Sequence, residues 1–71
     1  MQLTTSEQIR LVLMKKGVSI GELAKRLGQS RQNFSNKLSR DNFSISELYK
    51  IAEVLDVRYE SHFIMQDGTE I

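Results

Sequence analysis

The stretch SIGELAKRLGQSRQNFSNKL, residues 19–38, constrains this chain most, because it encodes two short helices separated by a tight glycine turn. Ser19 and Glu22 have the S-x-x-E spacing of a capping box, so a helix is predicted to start at Ile20, with Val18 and Leu23 closing a hydrophobic staple over it. Ile20, Leu23, Ala24 and Leu27 fall at i, i+3, i+4 and i+7, one apolar stripe. Gly28 ends that helix, since a residue without Cβ takes the left-handed conformation cheaply. Ser30 caps a second helix whose buried side is Phe34 and Leu38. At about 100° per residue, the side facing away from Phe34 carries Gln32 and Asn36, flanked by Asn33 and Ser35. Arg31 lies in the first turn.

That exposed face is unusual. Solvated helices carry Glu and Lys, whereas this one offers Arg, Gln and Asn, the side chains that make paired hydrogen bonds to base edges. Arginine matches the two acceptors of guanine; Gln or Asn matches the acceptor and donor of adenine in the major groove.

With those residues in place, the chain resembles the Cro/C1-type (lambda-repressor-like) helix-turn-helix transcription regulators. The matching elements are GELAKRLG, SRQNFSNKL and, behind them, SISELYKIAEVLDV, covering roughly the first 57 residues with the preceding helix. The resemblance implies a recognition helix in the major groove, with the helix before it crossing the phosphate backbone, as in the phage repressors. It implies base reading by Arg31, Gln32 and Asn36, with Asn33 beside them. Phosphate contact is implied for Ser19, Lys37 and Arg40, with Ser30 and Ser35 next to them. One departure is that the family commonly has an apolar residue where this chain has Lys37 and a charged one where it has Leu38.

The net charge of +1 hides a strong segregation. Residues 15–40 hold seven basic residues and one acid, a net of +6; the rest holds three basic residues and eight acids, a net of −5. Such a division gives one positive face suited to phosphate. The 71 residues suffice for a single domain, expected to be a helical core over 1–56 and a tail over 57–71. With no cysteine there is no disulfide framework or thiolate metal site. No cofactor or metal is expected. No run approaches the ~18 apolar residues of a membrane span, and MQLTTSEQ lacks the regions of a signal peptide, so the expected location is cytoplasmic.

The scaffold is equally legible. Thr4 and Glu7 open a helix that runs to about Lys16, with Ile9, Val12 and Leu13 inward and Gly17 at its end. Ser44 and Glu47 open another, stapled by Phe43 and Leu48, whose apolar stripe is Ile45, Leu48, Ile51, Ala52 and Leu55. The fold class is thus mainly α, and the resemblance implies a four-helix lambda-repressor-like DNA-binding domain. After Asp56 the period changes to two, and Asp67-Gly68 signals a two-residue type I′ turn. A C-terminal β-hairpin is therefore expected, with Gln66 facing Thr69 and Ile64 facing Ile71. A lone hairpin is marginal in water. It lies on its own helices through Tyr59 and Phe63, pairs with a second copy through Tyr59, Phe63, Ile64 and Ile71, or does both.

These readings converge on sequence-specific binding of double-stranded DNA by a repressor, a homodimer on a palindromic operator. An enzyme is not expected: His62 is the single histidine, on a predicted strand, with no acid–base constellation around it. The rival is a protein-interaction module or antitoxin-like subunit that uses the same fold mainly to bind a partner protein. An abandoned reading face would drift toward Glu and Ala, whereas Arg31, Gln32 and Asn36 are present here.

Overall fold

The computed structural model describes residues 3–71. Among the described residues there are four helices, α1 (Thr5–Lys16), α2 (Ile20–Arg26), α3 (Arg31–Arg40) and α4 (Ile45–Leu55), and none is long and apolar enough to cross a membrane. Each starts where its cap demands. Thr4, Ser19, Ser30 and Ser44 have extended backbones, and their hydroxyl oxygens accept from the backbone N–H three residues on. Complete capping boxes form at Thr4/Glu7 and Ser44/Glu47. At Ser19/Glu22 the box is only half formed, a correction to the expectation. There the Glu22 carboxylate accepts from Arg26 Nε at 3.1 Å, one turn along.

The ends share one device. Gly17, Gly28, Asp41 and Asp56 all take the left-handed conformation. In each case the next N–H reaches five residues back: Val18 to Leu13, Gln29 to Ala24, Asn42 to Lys37 and Val57 to Ala52, at 2.9–3.3 Å. These are Schellman endings, which satisfy carbonyls the helix leaves open. The two glycines are expected there; aspartate serves because its short polar side chain tolerates this region better than most.

The core gathers Ile9 and Leu13 of α1, Leu23 and Ala24 of α2, Phe34 and Leu38 of α3, and Leu48, Ile51, Ala52 and Leu55 of α4. Phe43 caps it, with its ring centroid 5.9 Å from that of Phe34. Ile45, expected in the α4 stripe, is instead half exposed. It is the first helical residue, and side chains lean toward the helix N-terminus, so it points past the core. A polar clasp joins α1 to the end of α3. The buried Ser6 Oγ donates to Leu38 O at 2.7 Å, and Ser6 N donates to Asp41 Oδ1 at 2.7 Å.

The tail departs from expectation. The β-hairpin over 57–71 is not formed as a two-stranded sheet; one antiparallel bridge, Ile64 to Glu70, is present. Phe63 and Ile71 exchange both backbone hydrogen bonds (2.9 and 2.8 Å), and Met65 N donates to Thr69 O at 2.7 Å. The register is therefore one residue off the expected pairing. The cause is the turn: Gly68 N donates to Met65 O, and Gly68 has φ 90°, so three residues rather than two connect the paired positions. A one-residue slip exchanges faces. Phe63, Met65 and Ile71 now share one face, while His62, Ile64 and Glu70 share the other, where His62 Nε2 lies 3.2 Å from Glu70 Oε1. Tyr59 is half-buried against the core and meets Tyr49 of α4 edge-on, with centroids 5.4 Å apart. Phe63, by contrast, is 79% exposed, so only the Tyr59 half of the expected packing on the helices exists.

Candidate nucleic-acid interface

The outward face belongs to α3. Phe34, 1% exposed, fixes its rotation by inserting between the other helices. Gln32 and Asn36 stand opposite, both exposed, and Gln32 Nε2 donates to Asn36 Oδ1 at 3.2 Å. The pair holds both amides on one line while leaving the Gln32 carbonyl oxygen and the Asn36 amino group open. Asn33 is exposed but turned back, its Nδ2 donating to Gln29 Oε1 at 3.2 Å. Gln29 is thus part of this surface, a residue overlooked in the sequence although it sits one helical turn before Asn33.

Arg31 lies beside a second overlooked residue. A Cβ built on Gly21 would lie 3.5 Å from Arg31 Cδ and 3.9 Å from Nε. Those are ordinary van der Waals separations, so the arginine stem lies along α2 at Gly21, and Arg31 itself is exposed in the first turn of α3.

The serines are equipped for two tasks. Ser19 and Ser30 accept the capping N–H of Glu22 and Asn33, each at 3.1 Å, through an oxygen lone pair. The hydroxyl proton of each stays free to be donated to an acceptor such as a phosphate oxygen. Ser35 is half-buried on the flank, and Arg40 is exposed in the last turn. Lys37 is placed differently: its Nζ is paired with Glu47 Oε2 on α4, on the seam rather than the outward face. The structure thus joins Gln32 to Asn36, leaves Arg31 exposed in the first turn beside Gly21, and sets Lys37 apart from them.

Electrostatics favour an anion at the start of α3. Among the described residues the ion pairs are Arg26–Glu22, Lys37–Glu47, Lys50–Glu53, Arg58–Glu60 and His62–Glu70. Within the basic block that leaves Lys15, Lys16, Lys25, Arg31 and Arg40 outside ion pairs. Three helices carry a glutamate in the first turn; α3 carries none. Its positive dipole end is left uncompensated, which favours an approaching anion. A short helix, a glycine turn and a second helix whose polar face is kept clear of the core form the geometry of a helix-turn-helix.

The Cro/C1-type HTH DNA-binding domain matches residues 8–60. The chain belongs to this family. No curated protein and no solved structure matches it. The matched segment spans all of α2, α3 and α4 and most of α1, and it stops before the bridged part of the tail. In this HTH domain α2 is the first helix of the motif and α3 the second.

Proposed function

We propose that this HTH protein binds double-stranded DNA sequence-specifically and acts as a transcriptional repressor, a homodimer occupying a palindromic operator in the cytoplasm. The carrying observation is the recognition face: Arg31, Gln32 and Asn36 are exposed together, with donors and acceptors suited to base edges and no acid in the first turn. In this reading Arg31 takes guanine and the Gln32–Asn36 pair takes adenine, each bidentate contact contributing ~1–3 kcal/mol of discrimination. Asn33 extends the same face. The hydroxyls of Ser19, Ser30 and Ser35, with Arg40, hold phosphates and fix the register.

One recognition helix reads only a few base pairs, so two copies are needed, on half-sites about 34–36 Å apart. The tail supports such pairing. Phe63, Met65 and Ile71 lie exposed on one face, and an isologous contact places that face against itself in the second copy. Ile64 borders it from the other side, and Tyr59 anchors the tail to the core. Helical core and tail act in this reading as one domain, residues 1–71. The same exposed face also favours a second reading, in which a different protein occupies it, as in an antitoxin-like subunit.

The test is selection from random duplexes by the purified protein, beside the Arg31→Ala/Gln32→Ala double variant. A palindromic motif that the variant loses or alters is the expected result. A folded protein that enriches nothing overturns the reading and shifts attention to a protein partner on the tail.

A further inference from the structure

Lys37 follows Asn36 in sequence but not in role. It is three residues past Phe34, about 60° from the buried seam and about 140° from Gln32. Its side chain is 30% exposed and that of Glu47 is 32% exposed. The ammonium also sits 6.0 Å from the centre of the Phe43 ring, which itself rests on Phe34. Glu47 is bound at both oxygens: Oε1 accepts from Ser44 N at 3.1 Å, the cap of α4, and Oε2 takes Lys37. One cation therefore touches the recognition helix, the loop aromatic and the cap of the next helix together.

We infer that Lys37 is a positioning residue, locked by Glu47, that sets the pitch of the recognition helix against α4 and is withheld from the DNA backbone. The inference rests on the DNA-binding reading above for its consequence, but the lock itself belongs to the free protein. Releasing it has two opposite effects. The helix loses a tether, so discrimination between operator and random duplex falls. The freed lysine gains a phosphate, so binding becomes more dependent on salt.

Glu47→Gln separates these effects, because the amide oxygen still caps Ser44 while the charge that holds Lys37 is gone. Lys37→Met keeps a flexible apolar stem beside Phe43 and removes the cation. In a salt titration, Glu47→Gln is expected to steepen the slope of log K against log salt by about 0.9, the value for one added phosphate. That is an extra loss of about threefold between 50 and 200 mM. Lys37→Met is expected to leave the slope unchanged, and both variants to discriminate less well than the parent. A slope shallower by about 0.9 in Lys37→Met, with none gained in Glu47→Gln, makes Lys37 a phosphate ligand and overturns the inference. The free protein gives an independent reading. Thermal midpoints of the two single variants and the double should be non-additive, the double shift being smaller than the sum. Additive shifts overturn the lock even if DNA binding holds, and failure of the parent to bind any duplex overturns the proposed function while the thermal cycle still decides the lock.

Discussion

Replacing Ser6 by alanine removes a single hydroxyl from the clasp between α1 and the end of the recognition helix. Ser6 is 7% exposed, and its Oγ donates to Leu38 O at 2.7 Å in a buried setting. A neutral hydrogen bond of this kind contributes ~0.5–1.5 kcal/mol net. Leu38 O is not orphaned by the change, because Asp41 N still donates to it at 3.2 Å, so the larger desolvation penalty is not incurred. Alanine recovers a few tenths, since the helix propensities of the two residues differ by less than about 0.7 kcal/mol. The net cost is about 0.5–1 kcal/mol, against a total stability of about 4–10 kcal/mol for a chain this long. The protein should stay folded with its thermal midpoint lowered by about 2–8 °C. Urea denaturation should give a lower midpoint and an unchanged m-value. Amide exchange should quicken at the C-terminal turn of α3, the turn that the clasp holds. An unchanged or raised midpoint refutes the reasoning, because the hydroxyl then contributes nothing that solvent does not replace.

Three further outcomes are expected. Phe34→Ala empties the centre of the core at ~3–5 kcal/mol, about half of the available stability, so the thermal midpoint should fall by about 12 °C or more; a shift much smaller than this counts against Phe34 as the organising residue. Hydrogen bonds from the Thr69 side chain and backbone hold the Asp67 carboxyl below its ordinary value of 3.8. Its folded pKa is thus the lower one, so its contribution to the turn is present above the unfolded value and is lost as pH falls through the folded one. NMR titration of the carboxyl should give a midpoint under 3.8, and a midpoint at or above it removes the Thr69 bonds from solution. Phe63→Asp puts a charge on the exposed tail face without touching the core, and sedimentation should find a folded monomer where the parent is a dimer; an intact dimer places the interface elsewhere.

The helical part was legible because its signals are local. A serine or threonine followed three residues later by glutamate fixes a start within one turn, and Gly17 and Gly28 fix two of the ends. The left-handed ends at Asp41 and Asp56 are not marked by residue type, since they follow from Schellman bonds across the helix end. Glu22 had two partners within reach, and spacing alone does not say that Arg26 prevails over the cap. Contacts far apart in sequence were invisible: Ser6 with Leu38 and Asp41, Lys37 with Glu47, Arg31 beside Gly21. The tail register failed for a different reason. Asp-Gly is shared by two-residue and three-residue turns, and the choice between them moves every side chain to the other face.

The three-residue turn at the end of the chain also has a bearing on control. By bringing Phe63, Met65 and Ile71 to one side, it leaves an exposed apolar face on the tail. Pairing through that face, as proposed above, would make the concentration of the DNA-binding species rise as the square of protein abundance until the dimer saturates. An operator served by such a protein responds to a threshold in protein number: doubling a scarce protein quadruples the dimer, and halving it quarters the dimer. Gly68 at φ 90° and the single bridge beyond it would in that way set the sharpness of a genetic switch, far from any base the protein reads.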